Sequence, residues 1–374
     1  MDDGLVAIGV RVRDAMPSDM TQRSLAEQVE MPADALSRAL NGQRGFASIE
    51  LAKIAEILDV DLHWLITGQE SPQRVRVAAR HEFDHYSGIR GVPGFEQDED
   101  VLSAVAHAYR QAYPDADHPS KALPGTVEGV REVLADGFVR EFADRLEAAL
   151  DVDVVRVPGL STDYSVTIGG RHVIVLAAHA NWFRSNFSLA HELGHLALGH
   201  HDLDNPRGND AREGAANRFA ADLLMLQSDL SGTDWETIGP RDLALFVWES
   251  GVSTGALLTR LDALRIPVGE ETRGLLSGST QRLLRRHGGD LGEKPVKRGP
   301  FTMLFDPITE RMNAAAARRF PLSLQEAHGK RIANGEITPG TLAWMLDTDL
   351  DDVVIDRPER SRPSADELAD MLGL

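Results

Sequence analysis

The sequence predicts a mainly α-helical protein with a small antiparallel β-sheet, an α+β arrangement, over 374 residues. Apolar residues recur at helical spacing along most of the chain. Two neighbouring runs, at 152–157 and 164–178, are instead rich in β-branched residues, and Gly169 with Gly170 divides the second run as a hairpin turn would. At roughly 100–200 residues per domain, the length predicts two or three domains.

Composition indicates a globular protein, because 42% of the residues are hydrophobic and 26% are charged. No apolar run approaches the roughly 20 residues that span a bilayer. The opening residues, MDDGLVAIGVRVRD, carry acids where a signal peptide needs positive charge. We therefore expect a cytoplasmic protein that makes no contact with a membrane.

Charge and cysteine content limit the chemistry further. The chain has no cysteine, so it forms no disulfide and any metal site must use histidine and carboxylate ligands. The net charge of −19 repels a polyanion. Binding to nucleic acid therefore needs a local surface and a specific site.

Residues 19–68 have the pattern of a compact helical block. Thr21 is placed to cap a helix over 22–29, and Pro32 is placed to open a helix that reaches Leu40. The block resembles the lambda-repressor-like (XRE) helix-turn-helix family throughout. Its expected core consists of Leu25, Ala26, Val29, Leu36, Leu40, Leu51, Ile54, Ala55 and Leu58.

This resemblance implies a DNA-binding face. The base-reading positions of the family fall on Ala33, Asp34, Ser37 and Arg38, and the residues expected near the DNA backbone are Gln22, Gln43 and Arg44. We expect specific binding to double-stranded DNA, as a homodimer, because one such domain buries little DNA surface. The block has only four bases against eight acids, which favours the alternative of a protein-docking module.

A metal-binding pattern lies in the segment FSLAHELGHLALGHH. His191 and His195 stand four residues apart, which places both imidazoles on one face of a helix. Glu192 then flanks the metal and can take a proton from a bound water. The helix can pack through an apolar stripe formed by Leu189, Leu193 and Leu196.

The following helix supplies a third ligand. In REGAANRFAADLLM, Glu213 and Asn217 share one face, opposite a buried apolar face. We predict that Glu213 completes a zinc site and that Asn217 orients a histidine ligand through a hydrogen bond. Three protein ligands leave a fourth position for water, which is typical of catalytic zinc sites.

Two competing metal motifs are weaker. Residues 81–85 also spell HExxH, but they lie in a predicted linker over 71–95, without an apolar stripe or a downstream carboxylate helix. His201 has the third-ligand spacing of the metzincins, yet Leu198 stands where that motif needs glycine. We expect neither to bind the metal.

Residues 150–265 resemble the ImmA/IrrE family of metallopeptidases. The family joins a helical HExxH to E-x-x-A-N-x-F-A-x-x-L-L-M, and both elements are present here, from His191 and from Glu213. Arg184, Phe187 and the segment VSTGALLTRLDAL also follow the family pattern. Gln227 departs from it, since the family has a proline after the methionine. The resemblance implies a zincin-like peptidase domain.

It also implies a cytoplasmic endopeptidase that cleaves a repressor protein, and so regulates transcription in a stress, phage or mobile-element response. We expect the hairpin at 164–178 to hold the substrate as an added strand. Tyr164, His179 and Arg184 are candidates to stabilise the oxyanion, and the sequence does not choose among them. The alternative is a DNA-binding regulator or antitoxin whose peptidase-like domain acts as a sensor or docking module.

These patterns predict four regions along the chain. Residues 1–75 form the helix-turn-helix domain, and residues 76–125 form a linker and helical region. Residues 126–265 form the peptidase domain, and residues 266–374 form a helical C-terminal region of unknown role.

Overall fold

The computed structural model divides the chain into two compact units, residues 1–74 and residues 75–374. No helix among the described residues is both long enough and apolar enough to cross a membrane. The residues that the structure describes are 3–17, 20–58, 60, 62–69, 75–79, 82–83, 90–91, 95–115, 119–200, 210–289 and 306–355.

The first unit is all α-helical in its described part. Its helices are α1 (Asp3–Ala15), α2 (Gln22–Val29), α3 (Ala33–Leu40), α4 (Ser48–Ile57) and α5 (Leu62–Thr67). The predicted start of α2 is correct, because the Thr21 side chain accepts a hydrogen bond from the Ser24 amide at 3.1 Å. Pro32 occupies the N-cap of α3. All nine predicted core residues are buried.

Helix α1 lies outside the predicted block of 19–68 and completes this core. Val12 is fully buried. A Cβ on Gly9 would lie 2.0 Å from the carbonyl oxygen of Leu40, so only glycine permits this approach. Arg13 Nη1 then donates to the same carbonyl at 2.8 Å. Helix α1 therefore contributes both apolar packing and a polar cap to the end of α3.

The second unit contains a four-stranded sheet in the order β1-β5-β6-β4 and a separate short pair, β2-β3. Its strands are β1 (Val75–Ala79), β2 (Glu82–Phe83), β3 (Arg90–Gly91), β4 (Val152–Val157), β5 (Tyr164–Ile168) and β6 (Arg171–Ala177). Strands β5 and β6 form the predicted hairpin. The predicted fold class, mainly α with a small sheet, is confirmed. The sheet is mixed and not antiparallel throughout, because β6 lies between β5 and β4 and runs parallel to β4. Every residue of β4 is buried, as is usual for strands in parallel pairs.

The predicted linker over 71–95 is also partly wrong. Its residues 75–79 form β1, which pairs antiparallel with β5, and two further short strands follow within it. The sequence gives little sign of this, since β1 is short, and its strand geometry depends on β5, which lies more than 80 residues further along the chain.

The sheet separates two apolar cores. Ile174 and Leu176 face the first core with helix α9, whereas Val173 and Val175 face the second core with α6 and α17. The helices of this unit are α6 (Phe95–Ala112), α7 (Val127–Leu134), α8 (Phe142–Leu150), α9 (Trp182–Ala197), α10 (Asp210–Leu224), α11 (Gln227–Ser231), α12 (Pro240–Ser250), α13 (Thr254–Ala263), α14 (Glu270–Leu276), α15 (Thr280–His287), α16 (Pro307–Ala316), α17 (Leu322–Ala333) and α18 (Gly340–Leu346), with 3-10 turns at Phe138–Glu141 and Leu350–Asp352.

The described part of the C-terminal region is built into this unit. Leu276 and Met312 enter the first core, and Phe320 and Leu324 enter the second. The backbone of Arg319 exchanges hydrogen bonds of 2.8 and 2.9 Å with that of Arg156 and so covers the outer edge of β4. The predicted boundary at residue 265 is therefore not a division of the structure.

Candidate functional site

Helix α9 brings the two motif histidines together. Asn181 caps its N-terminus by accepting a hydrogen bond from the Arg184 amide at 3.2 Å. The three leucines of the predicted stripe are buried, so the helix packs as expected. His191 and His195 are also buried, and their Nε2 atoms lie 3.2 Å apart.

Helix α10 adds a carboxylate to this pair. Glu213 Oε2 lies 3.4 Å from His191 Nε2, and Glu213 Oε1 lies 3.4 Å from His195 Nε2. The three side chains form the one cluster of metal-ligand type found among the described residues.

The spacing of these donor atoms fits a zinc ion. Tetrahedral zinc with bonds of roughly 2.0–2.1 Å separates its ligand atoms by about 3.3 Å. Burial lowers the pKa of His195, although the hydrogen bond to Glu213 opposes this effect. Burial alone would raise the pKa of Glu213, but hydrogen bonds from His191 and His195 outweigh it and lower that pKa well below its usual range. A carboxylate and neutral imidazoles are the forms that bind a metal.

Each histidine is also held through its other ring nitrogen. His191 Nδ1 lies 3.1 Å from Asn217 Oδ1, which is the contact expected of Asn217. His195 Nδ1 lies 2.9 Å from Nδ1 of His200, a residue that the sequence interpretation did not include. Burial lowers the pKa of His200 to about 4, so its ring is neutral at pH 7. The free Nδ1 of that neutral ring can accept a hydrogen bond from the N–H at Nδ1 of His195. Both contacts leave Nε2 directed at the metal position.

A helix-terminating turn brings His200 back to the site. Gly199 adopts a φ of +68°, and its amide donates to the Leu196 carbonyl. The His200 amide donates to the His195 carbonyl at 2.9 Å, which completes a Schellman motif. The glycine after Leu198 was the available sequence signal, because it ends the helix and reverses the chain toward His195.

Glu192 lies beside the cluster and is almost completely buried, at 1% exposure. Its Oε1 atom is 4.0 Å from His191 Nε2, and its Oε2 atom accepts a hydrogen bond from Ser165 Oγ at 2.8 Å. Ser165 lies on β5, is fully buried, and was missed in the sequence. The strand alternates, so a polar residue between Tyr164 and Val166 faces α9 while those two face the second core.

Gly194 sets the distance between the two ligand-bearing helices. A Cβ at this position would lie 3.2 Å from Cβ and Cδ1 of Phe219 and 3.3 Å from Cα of Ala216, both on α10. The glycine inside HELGH therefore lets α10 approach closely enough for Glu213 to reach the histidines.

Two of the three candidate oxyanion stabilisers are placed away from the cluster. Tyr164 faces the second core, and its hydroxyl donates to Asp98 at 2.7 Å. Arg184 is exposed and precedes His191 by seven residues, which is about 10 Å along a helix axis. His179 is half-buried, and no described residue hydrogen-bonds its Nε2. The oxyanion role of these three residues stays a prediction, and among them His179 has a ring nitrogen not engaged by a described residue.

The competing motifs are only partly described. Glu82 lies in β2, which pairs with β3, so this HExxH copy lacks the helix that would align its histidines. His81, His85 and His201 lie outside the described residues.

The expected DNA face of the first unit is largely accessible. On α3, Ala33, Asp34 and Arg38 are exposed, and Ser37 is half-buried. Gln22 and Gln43 are exposed as well, whereas Arg44 is half-buried.

Four cations of this unit are paired with its own acids. Arg38 Nη2 lies 3.0 Å from Asp34 Oδ2, and Arg44 Nη2 lies 2.7 Å from Glu50 Oε1. Arg23 and Lys53 are paired in the same way with Glu27 and Glu30. A DNA phosphate or base must therefore compete with these carboxylates.

Comparisons with known families confirm the predicted fusion. A peptidase family model described as the IrrE N-terminal-like domain matches residues 148–262, and a helix-turn-helix model matches residues 12–65. No curated protein and no solved structure gives a significant match.

Proposed function

We propose that this chain, which joins a helix-turn-helix domain to an IrrE-like metallopeptidase domain, is a cytoplasmic zinc endopeptidase that cleaves a repressor protein and thereby regulates transcription. The observation that carries the proposal is the buried triangle of His191, His195 and Glu213 donors with Glu192 beside it. A stress, phage or mobile-element response is the setting in which such a fusion is most useful.

The chemistry follows from the position of Glu192. Zinc bound at the triangle would polarise the scissile carbonyl and acidify the attacking water. Ser165 fixes Glu192 Oε2, which leaves Oε1 on the side of the cluster. Glu192 then accepts the proton of the water and donates it to the leaving amine nitrogen.

A second candidate function is that of a DNA-binding regulator or antitoxin whose peptidase-like domain senses a ligand or partner. It is favoured by the sheet, because β5 is paired on both edges, with β1 and with β6. An extended substrate therefore finds neither edge of β5 open in this arrangement.

Metal content and cleavage separate the two candidates. The purified full chain should contain about one zinc per molecule by elemental analysis, and His195→Ala should lose it. Glu192→Gln should keep the zinc but slow cleavage of its repressor substrate by about 100-fold or more, since the amide cannot take a proton. His85→Ala is the matched control and should keep both properties.

Full zinc occupancy in the His195→Ala chain would contradict the assigned site. If the wild-type chain contains zinc but Glu192→Gln cleaves the repressor as fast as the wild type does, Glu192 is not the catalytic base. A zinc-loaded chain that cuts no repressor offered to it would leave the sensor function as the better account.

A further inference from the structure

Strand β5 carries Ser165, which hydrogen-bonds to the proposed base, and its outer edge is paired with β1. The pairing is antiparallel and continuous, from Val75 opposite Ile168 to Ala79 opposite Tyr164. Strand β1 begins at the first residue of the second unit, directly after the segment that carries the helix-turn-helix domain. Five residues of the chain's own backbone thus add a strand to the peptidase sheet.

The register places this added strand level with the catalytic groups. Ser165 is the β5 residue whose hydroxyl holds Glu192, and its partner across the ladder is Ala78. The C-terminal end of β1 therefore lies beside the part of β5 that contacts the base. The opposite side of β5 is taken by β6, so a peptide joining this strand must use the edge that β1 occupies.

Extended peptides commonly bind proteins by adding a strand to a sheet edge, because main-chain hydrogen bonds hold them whatever their side chains. We propose that β1 is an internal pseudosubstrate: residues 75–79 occupy the strand position that a peptide substrate needs, and they slow the peptidase while they are paired with β5. The inference rests on the proposed function for the identity of the competing ligand.

Strand β1 competes with a substrate peptide from within the same chain. Because β1 and β5 belong to one chain, β1 competes for β5 at an effective concentration that is set by the length and stiffness of the intervening chain. A substrate in solution must exceed that value, or another event must remove β1.

A reversible cross-link tests the pairing in the full chain. Facing residues of an antiparallel pair have Cα atoms about 4.5–5.5 Å apart, which suits a disulfide. Arg76 faces Thr167, and the chain has no cysteine to interfere. Arg76→Cys with Thr167→Cys should form an internal disulfide under mild oxidation. Arg76→Cys with Thr259→Cys, on helix α13, is the control and should not.

A second experiment weakens the pairing of β1 with β5 and measures whether a free peptide then binds in its place. Successive backbone amides of a strand point to opposite sides, so either Arg76 or Val77 directs its N–H toward β5. Proline has no N–H, so changing both residues to proline removes that hydrogen-bond donor. A fluorescent peptide with the sequence of residues 73–83 should bind the double proline variant at least tenfold more tightly than the parent chain. Arg76→Lys with Val77→Ile keeps both amides and should bind like the parent. All chains carry Glu192→Gln, so the peptide is not cut.

The same double proline change in the active chain should raise repressor cleavage at least tenfold. Failure of the disulfide to form, or equal peptide binding by parent, proline and control chains, would overturn the proposal. If the purified wild-type chain contains no zinc, the proposed peptidase function is wrong. The cross-link and the peptide-binding result do not depend on zinc and would still test whether β1 occupies the edge of β5. The two failures are therefore distinguishable.

Discussion

The metal cluster and the DNA face use charged groups in opposite ways. At the cluster, the polar atoms are buried, and each histidine is held by a partner on the nitrogen that faces away from the centre. On α3, Arg38 and Asp34 are 58% and 75% exposed, and their ion pair can exchange with water. The buried site is organised before any ligand arrives, whereas the exposed face depends on its partner for its final arrangement.

The energetic reason is solvation. Burying histidines and carboxylates costs free energy unless they are paired or bind a metal, so their geometry is strongly constrained. An exposed ion pair contributes only about 0–1 kcal/mol, so it is easily replaced by a contact to DNA. Substitutions at the cluster should therefore have large effects, and substitutions at the DNA face should have small ones.

The largest effect is expected at Gly194, where the two ligand helices meet. Gly194→Val should force α9 away from Phe219 on α10 and move Glu213 from the histidines. We expect zinc binding to weaken by about 100-fold or more and the free energy of unfolding to fall by about 1–3 kcal/mol. Chelator competition and thermal melting measure the two effects.

Gly329→Val is the matched control, because Gly329 also lies inside a helix but a Cβ there would meet no atom within 4 Å. Its zinc affinity should be that of the wild type. Unchanged zinc binding in Gly194→Val would show that close approach of the helices is not required for the site.

A smaller effect is expected at Ser165, which hydrogen-bonds to the proposed base. Ser165→Ala leaves Glu192 Oε2 without its 2.8 Å donor, and a hydrogen bond to a charged group contributes about 1.5–3 kcal/mol. The turnover of repressor cleavage should fall by about tenfold or more while the zinc content stays the same. Ser165→Thr keeps the hydroxyl and should restore most of the rate. Equal rates for Ser165→Ala and wild type would remove Ser165 as a positioning residue.

The parts that the sequence predicted correctly depend on local spacing. The capped start of α2, the core of the first unit and the shared face of His191 and His195 all follow from residues within one or two turns of each other. Glu213 and Asn217 were predicted from the face that they share on a second helix, and the family resemblance contains both residues. The roles of these residues in metal binding and catalysis remain predictions.

The parts that were missed depend on chain segments distant in sequence. Strand β1 exists through its pairing with β5, and Ser165 matters because β5 lies against α9. Helix α1 contains alternating valine and arginine, which hides a helical period that packing against α3 stabilises. His200 is the exception, because Gly199 was a local signal for the turn that returns it to His195.

The smallest effect is expected on the DNA face, where Asp34 competes with DNA for Arg38. Asp34→Ala frees Arg38 from its 3.0 Å ion pair and removes a negative charge from the face. Operator binding should strengthen by about two- to fivefold, in keeping with the roughly 0.2–1 kcal/mol of an exposed pair. In an Arg38→Ala background the gain in operator affinity should be smaller, because Asp34→Ala then only removes a negative charge and no longer frees Arg38. Gel shifts with the promoter upstream of the gene, against random DNA, measure both changes. Equal affinity of all variants for both DNAs would mean that α3 does not read bases, and would favour a docking role for the first unit.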